Sequence, residues 1–182
     1  MGKVRIIGGI YRSRILKFDD GVGDLRPTPD RVRETLFNWL GQDLTDKRCL
    51  DLFAGSGILG FEALSRNARQ VVFVENNKLA ANRLRQNGKL LEVNNLEIVF
   101  ESAGHYLKQC LHKFDIVFLD PPYNSELLTQ SLELIKKYSI LSAHGMVYVE
   151  YKTAPDLSGY IINRCKKAGM VNYALIELSA AN

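Results

Sequence analysis

The sequence predicts a single α/β domain: a mostly parallel, doubly wound sheet with an antiparallel C-terminal hairpin and a short N-terminal β-hairpin extension. From residue 48 onward, short apolar runs alternate with stretches of helical length, which is typical of βαβ units. The last two apolar runs are separated only by a short polar segment, which favours an antiparallel pair. A length of 182 residues with 46% hydrophobic content suits one compact core. We therefore divide residues 1–182 into an arm, 1–25, and a core, 26–182.

The N-terminal arm reads as a β-hairpin. Residues 4–7 and the alternating residues 10–16 are strand-like, and Gly8-Gly9 between them is a turn signal, so basic side chains are expected toward one side. A loop rich in Gly and Pro follows. Thr28 is then expected to cap a helix that has Pro29 at its first position.

The core elements follow in regular alternation. Strands are predicted at 49–53, 70–75, 96–100, 115–119 and 146–151, and helices at 58–66, 78–91, 103–111 and 125–138. Two further strands, 160–165 and 173–178, are expected to close the sheet. The polar segment between them, which contains Lys166-Lys167, reads as a solvated turn.

Composition excludes several classes of protein. No uninterrupted apolar run reaches the 18 or more residues of a membrane span, and the first ten residues lack the apolar stretch of a signal peptide, so we expect a cytoplasmic protein. Cys49, Cys110 and Cys165 are widely spaced without a CxxC pair, which disfavours a zinc site or a disulfide framework. Buried thiols and no metal are the expectation.

The net charge of +4 is concentrated at the N-terminus. Residues 1–33 hold eight Lys or Arg against four Asp, whereas basic and acidic residues balance in the remainder. This distribution is typical of a polyanion-binding arm on a neutral body, although a solvated basic face is an equal alternative from charge alone.

A glycine-rich turn is predicted between the first core strand and its helix. Asp51-Leu52-Phe53-Ala54-Gly55-Ser56-Gly57 follows the strand, and Gly60 lies three residues further on. Glycines permit close approach of a ligand to bare backbone, and the helix start offers unpaired N–H groups. Glu75, at the end of the next strand, can accept hydrogen bonds from both hydroxyls of a ribose. Together these features predict a nucleoside pocket.

The charge of Asp51 discriminates between nucleosides. The GK[ST] ending of a P-loop is missing, and a carboxylate here would repel a phosphate. S-adenosylmethionine carries a sulfonium and an ammonium group, so it is favoured over a dinucleotide; NAD is the alternative.

The second predicted motif, Asp120-Pro121-Pro122-Tyr123, ends the fourth core strand and should lie over the same cleft. The Asp120 carboxylate and the Pro121 carbonyl can accept both N–H bonds of an exocyclic amino group and aim the nitrogen lone pair at a methyl donor. The prolines restrict the backbone, and Tyr123 offers a face on which a base can stack. We expect Asp120 to be ionised, with an ordinary pKa of about 3.9.

These motifs resemble the class I S-adenosylmethionine-dependent methyltransferases and, more narrowly, the RsmD family of bacterial 16S ribosomal RNA guanine-N2 methyltransferases. The narrower resemblance rests on Arg5-Ile6-Ile7-Gly8-Gly9 and on the segment RPTPDRVRETLFNWL at 26–40, and it covers essentially the whole chain. It implies methylation of the N2 of a guanine in small-subunit ribosomal RNA, free or in an assembled particle. We expect a monomer.

The resemblance also implies site residues. The expected cofactor-binding residues are Asp51, Phe53, Ala54, Gly55, Ser56, Gly57, Glu75 and Asn76, with Glu101 and Ser102 beside the adenine and Arg26 and Thr28 in the cleft. Glu101 stands where many class I enzymes have Asp. The expected catalytic residues are Asp120, Pro121 and Tyr123, and the expected substrate-binding residues are Arg5, Arg12, Arg14, Arg31 and Pro122.

Two other functions are compatible with parts of this pattern. The Asp-Pro-Pro-Tyr chemistry serves any exocyclic amine, so a DNA adenine-N6 or cytosine-N4 methyltransferase is an alternative, although no stretch of the chain is left over for a target-reading region. A ribosome-assembly factor without catalysis is the other alternative, and the intact glycine turn and Asp120 argue against it.

Overall fold

The computed structural model describes residues 1–19, 27–122 and 126–179. Across these ranges the chain forms nine strands and five helices. In chain order they are β1 (Gly2–Arg5), β2 (Ile15–Phe18), α1 (Asp30–Leu40), β3 (Arg48–Asp51), α2 (Ile58–Ser65), β4 (Gln70–Glu75), α3 (Lys78–Leu90), β5 (Leu96–Phe100), α4 (Ala103–Gln109), β6 (Phe114–Leu119), α5 (Leu127–Lys137), β7 (Leu141–Tyr151), β8 (Tyr160–Ala168) and β9 (Val171–Leu178).

Seven strands form one twisted sheet in the order β5-β4-β3-β6-β7-β9-β8. The first five strands in this order, β5, β4, β3, β6 and β7, are parallel to one another. Strand β9 runs antiparallel to both of its neighbours, β7 and β8. Strands β1 and β2 form a separate antiparallel pair. The predicted architecture is therefore confirmed.

Helices cover both faces of the sheet, and each face has its own apolar core. The hairpin, α1, α2 and α3 contribute to one cluster, and α4 and α5 contribute to the other. Strands β4 and β6 are buried on both faces, which explains why their sequences are continuous apolar runs rather than alternating ones.

The end of the sheet differs from the prediction. Strand β8 continues through Lys166 and Lys167, which are paired with Tyr173 and Asn172 of β9. The solvated turn predicted at these lysines is therefore wrong, because the ladder to β9 persists to Ala168 and the chain reverses at residues 169–170.

The N-terminal hairpin does not turn at Gly8-Gly9 as predicted. Strands β1 and β2 are joined by residues 6–14, and residues 10–13 are a turn rather than the start of the second strand. The physical reason is a competing partner: the N–H groups of Ile10 and Tyr11 bond to the Ser65 carbonyl at 2.7 Å and the Ser65 Oγ at 2.9 Å.

The expected cap of the first helix is also wrong. Helix α1 has Pro29 at its N-cap and no side-chain capping bond. The Thr28 hydroxyl instead donates to the Glu150 carboxylate at 3.1 Å, which a sequence pattern restricted to the helix start does not reveal.

A buried ionic network fastens the hairpin to the core. Arg33 and Glu62 are both fully buried, with Arg33 Nε 3.2 Å from Glu62 Oε1, and Arg66 contacts the other Glu62 oxygen. Glu62 Oε1 also accepts the Ile7 N–H at 2.8 Å, and Arg33 Nη2 donates to the Arg5 carbonyl at 2.7 Å. Arg33 is thus a structural cation and not part of an exposed basic arm. Burial lowers the pKa of Arg33, and the negative charges of Glu62 and Asp30 oppose that shift.

No helix among the described residues is long and apolar enough to cross a membrane. Of the three thiols expected to be buried, Cys49 is buried, Cys110 is half-buried, and Cys165 is exposed because it lies on the edge strand β8.

Candidate active site

The carboxyl ends of β3 and β6 meet at the switch point of the sheet. The chain passes from β3 to β4 and β5 on one side and from β6 to β7 on the other. Asp51 pairs with Phe118 in this register, and the Leu52 N–H donates to the Phe118 carbonyl at 3.2 Å. The predicted glycine turn and the Asp120 motif are therefore adjacent, at the position where ligands bind in open α/β sheets.

Asp51 is almost completely buried beneath this turn, with 4% of its surface exposed. One carboxylate oxygen accepts the Gly60 N–H at 3.0 Å, which joins the strand end to α2. Burial raises the pKa of Asp51 to about 8, and the nearby Glu75 charge adds to the shift. A buried carboxyl with this pKa is poised to ionise when a cation arrives beside it.

The turn itself depends on glycine at two positions. Gly55 and Gly57 have φ values of 51° and 75°, in the left-handed region. A Cβ on Gly57 would also lie 2.3 Å from a methyl carbon of Leu84. Gly60 must also stay small, because a Cβ at this position would lie 2.3 Å from the Phe73 ring. The spacing of glycines at 55, 57 and 60 therefore has a steric basis.

Glu75 lies two residues beyond Phe73, the β4 residue that pairs with Asp51. Its two oxygens accept the N–H groups of Gly55 and Asn77, each at 2.7 Å. A carboxylate has about four lone-pair positions, so two remain for hydroxyl donors of a ribose. The neighbouring Asn76 is exposed at the same edge.

The predicted adenine contacts, Glu101 and Ser102, also lie at this edge, because the Glu101 N–H donates to the Glu75 carbonyl at 3.1 Å. Their side chains have protein partners: Glu101 pairs with His105, and Ser102 caps α4 by accepting the His105 N–H at 3.4 Å. Phe53 is half-buried, whereas Ala54 and Ser56 are buried in the turn.

Asp120 immediately follows β6 and is partly exposed. Burial of its carboxyl, together with the negative charges of Glu150 and Asp51, raises its pKa well above the ordinary value, and a hydrogen bond from Thr28 acts in the opposite direction. The expectation of an ordinary pKa is therefore wrong, because it neglected neighbours contributed by β3 and β7.

Glu150 is the site residue that sequence reasoning missed. It ends the buried part of β7, is 4% exposed, and accepts hydrogen bonds from Thr28 Oγ1 at 3.1 Å and the Tyr148 hydroxyl at 2.8 Å. The available signal was an acid within the otherwise apolar run of a strand predicted to be buried. Through this bond Thr28 also lies at this edge.

Other predicted residues lie elsewhere or outside the described ranges. Pro121 is buried and Pro122 exposed directly after Asp120, whereas Tyr123 and Arg26 lie outside the described residues. Arg5 and Arg31 are exposed near the start of α1, and Arg5 lies 3.5 Å from Asp30.

The structure does not bring Arg12 and Arg14 to the active-site edge. The hairpin connection binds Ser65 at the far end of α2, a helix of eight residues that begins at the glycine turn. Eight residues span roughly 12 Å, so the hairpin tip lies toward the opposite edge of the sheet. Arg14 is held there by a 3.0 Å bond to the Leu90 carbonyl at the end of α3.

The chemistry of this edge fits S-adenosylmethionine. Asp51, Glu75, Asp120 and Glu150 place four carboxyl groups at neighbouring strand ends, which suits a cationic ligand with hydroxyl donors and opposes a pyrophosphate. The residues present therefore favour a sulfonium nucleoside over NAD.

Strand order and site together define a class I methyltransferase domain. A protein from Escherichia coli, yhhF, provisionally assigned as a methyltransferase, has a solved structure that matches with a TM-score of 0.88 and 38% identity, covering 99% of this chain and all of that one. The Thermus thermophilus protein TTHA0928 matches with a TM-score of 0.82 at 26% identity, over 96% of this chain and 99% of that one.

The chain belongs to the family described as Conserved hypothetical protein 95, whose profile matches residues 4–177, and this confirms the resemblance to the RsmD family. A relative from Haemophilus influenzae, named Ribosomal RNA small subunit methyltransferase D, is 42% identical over 97% of this chain and 94% of its own length. The Escherichia coli protein of the same name is 40% identical over 98% and 92%.

Proposed function

We propose that this protein transfers a methyl group from S-adenosylmethionine to the exocyclic N2 of a guanine in small-subunit ribosomal RNA. The proposal is carried by the adjacency of the Asp51 turn and Asp120 across the β3–β6 register. The names of the relatives supply the RNA class, and the amine-directed Asp-Pro-Pro-Tyr motif supplies the kind of acceptor atom. We place the enzyme in the cytoplasm as a monomer that acts on ribosomal RNA, free or within a particle.

The cofactor-holding residues act through charge and hydrogen bonding. Asp51 and the turn at residues 53–57 would hold the cationic part, and the free lone pairs of Glu75 would accept the ribose hydroxyls. Thr28 and residues Asn76, Glu101 and Ser102 would border the nucleoside. When bound, the cofactor supplies an electrophilic methyl group on a positively charged sulfur.

The acceptor nitrogen is oriented by Asp120 and by the Pro121 carbonyl. Each accepts one N–H bond of the exocyclic amine, which turns the nitrogen lone pair toward the methyl group and concentrates its electron density. Orientation and exclusion of water supply most of the rate enhancement. Tyr123 would stack on the extruded base.

Asp120 also has a role in moving a proton. The nitrogen that gains a methyl group must lose one proton, and the Asp120 carboxylate is the acceptor beside it. A carboxylate whose pKa is raised toward the working pH is a better proton acceptor than an ordinary Asp, so the burial that disfavours ionisation of Asp120 also equips it for this step.

Mapping modified nucleosides tests the proposal. Small-subunit ribosomal RNA from cells with and without the gene would be digested and analysed by mass spectrometry. Loss of one N2-methylguanosine, restored by the wild-type gene but not by an Asp120→Ala gene, is the expected result. Unchanged RNA accompanied by loss of a methylated adenine or cytosine in DNA would favour the DNA methyltransferase instead. Restoration by the Asp120→Ala gene would favour a non-catalytic assembly role.

A further inference from the structure

The β8–β9 hairpin ends at the active-site edge of the sheet. Leu119 pairs with Val149, so Asp120 follows beside Glu150. Glu150 pairs with Tyr173 of β9, and Tyr173 pairs with Lys166 of β8. Asp120, Glu150, Tyr173 and Lys166 are therefore neighbours in one row that crosses four strands of the sheet. The tip of the β8–β9 hairpin lies just beyond this row.

The distance along this row suits contact with RNA that flanks a base held at Asp120. Neighbouring strands are about 4.8 Å apart, so the three intervals from β6 to β8 place the Lys166 backbone roughly 14 Å from Asp120. Cross-strand partners project to the same face, so Lys166 and Glu150 lie on one face of the sheet and Lys167 lies on the other. The two lysines thus present charge on both sides of the hairpin end.

The hairpin end is basic and exposed. Residues 164–176 contain Arg164, Lys166 and Lys167 and no acidic residue. All three cations are exposed, as is Lys152 just after β7. Met170 at the tip has 78% of its surface exposed, so a large apolar side chain stands beside the cations.

The N-terminal hairpin has a different location. Its tip binds Ser65 at the far end of α2, and Arg33, counted in the basic arm, is fully buried. Among the described residues, the basic end of β8 therefore lies at the active-site edge, whereas Arg12 does not.

We propose that residues 164–170 form a docking surface for the ribosomal RNA strand that flanks the target base. This inference rests on the proposed function. Lys166, Lys167 and Arg164 neutralise phosphates of the RNA backbone, and Met170 packs against an adjacent base. Such contacts position the substrate without reading its sequence.

The test removes the charge of two exposed lysines. The variant Lys166→Gln/Lys167→Gln is compared with a charge-matched control, Lys47→Gln/Arg69→Gln. The exposed side chains of the control lie directly before β3 and β4, at the opposite edge of the sheet. Filter binding to an in vitro transcript of small-subunit ribosomal RNA is measured at several KCl concentrations. Wild type and both variants are also assayed for methyl transfer and for calorimetric binding of S-adenosylmethionine.

The lysine variant is expected to bind RNA about tenfold more weakly at physiological salt. Its slope of log affinity against log salt should fall by about 1.4, or about 0.7 for each phosphate of a single strand that the protein no longer neutralises. The control should keep the wild-type slope. Cofactor affinity and turnover at saturating RNA should be unchanged in both variants.

A second measurement is a crosslinking experiment on the protein without any substitution. Cys165 is exposed on β8, so a photoreactive benzophenone maleimide can be attached to it. Illumination should crosslink the labelled protein to the RNA transcript, and the Cys165→Ser variant reports the background from the other thiols.

The outcomes of these experiments distinguish failure of the proposed docking surface from failure of the proposed function. If wild type binds and methylates the transcript, but the lysine variant and the control have the same slope or Cys165 gives no crosslink above background, the docking surface is wrong and the proposed function stands. If wild type neither binds nor methylates RNA, both are wrong.

Discussion

Thr28 and Glu150, which are 122 positions apart in sequence, are joined by a 3.1 Å hydrogen bond from Thr28 Oγ1 to the buried Glu150 carboxylate. The Thr28 carbonyl in turn accepts a bond from Arg33 Nη1 at 2.9 Å. The segment preceding α1 is therefore fastened both to the end of β7 and to the buried ionic network. This arrangement holds Glu150 close to Asp120 and makes the charge of one depend on the other.

Replacing Glu150 tests this dependence. Glu150→Gln retains an oxygen that can accept from Thr28 and Tyr148 but removes a negative charge that raises the pKa of Asp120. Because the proposed mechanism requires the ionised form of Asp120, the acidic limb of the pH profile of kcat/KM should move to lower pH. Thermal unfolding of the variant controls for loss of structure. A limb that stays in place or moves to higher pH would contradict the coupling.

Replacing Asp120 separates chemistry from cofactor binding. In the proposed mechanism Asp120→Ala removes one acceptor of the amine protons, so turnover should fall by about 10²-fold or more. Affinity for S-adenosylmethionine, measured by calorimetry, should stay nearly unchanged. Glu34→Ala, at an exposed position on α1, is the control. Loss of cofactor binding with Asp120→Ala would show that Asp120 belongs to the cofactor site.

Replacing Asp51 gives a pH-dependent change in stability. Its pKa is about 8 in the folded protein and about 3.9 when unfolded, so its stabilising contribution is complete below pH 4 and is lost as the pH rises through 8. Asp51→Asn should have wild-type stability near pH 4. At pH 8 and above, the cofactor-free variant should be more stable by a few kcal/mol.

Urea unfolding at a series of pH values measures this effect, and calorimetry should show that the same substitution weakens cofactor binding. A stability difference that is constant across the range would mean that Asp51 is not buried as a neutral acid.

Removing the buried charge of Glu62 should destabilise the fold. Glu62→Gln removes the buried carboxylate that Arg33 and Arg66 share, so that Arg33 keeps only its ion pair with Asp30. Breaking such a buried arrangement costs about 3–5 kcal/mol in free energy of unfolding. Chemical denaturation measures the loss, with Glu34→Gln as the exposed control. A cost below about 1 kcal/mol would show that the two arginines are solvated in the absence of Glu62.

Arg12 and Arg14, at the tip of the N-terminal hairpin, should contribute to binding of long RNA but not of short RNA. Arg12→Gln/Arg14→Gln should lower the salt slope for full-length ribosomal RNA by about one unit for each phosphate that the tip no longer neutralises. It should leave binding of a short fragment around the target guanine unchanged, because the tip lies toward the opposite edge of the sheet. An equal effect on both RNAs would place Arg12 or Arg14 next to the target base.

Much of the fold was predictable because periodicity is a local property. The predicted strands 70–75 and 96–100 coincide with β4 and β5, and the glycine turn lies where its spacing placed it. The predicted position of the N-terminal hairpin turn was wrong because Ser65, more than fifty residues away in sequence, accepts hydrogen bonds from the N–H groups of Ile10 and Tyr11. The extent of β8 was missed because the pairing of Lys166 and Lys167 is decided by β9.

The sequence by itself determined the order of strands and helices and the identity of the acids at the strand ends, since both follow from short-range pattern and residue chemistry. Tertiary structure alone decided that Glu150 stands beside Asp120, that Arg33 is buried, and that the two basic hairpins point to opposite edges. These outcomes depend on sheet register and on desolvation, which arise only when distant segments pack together.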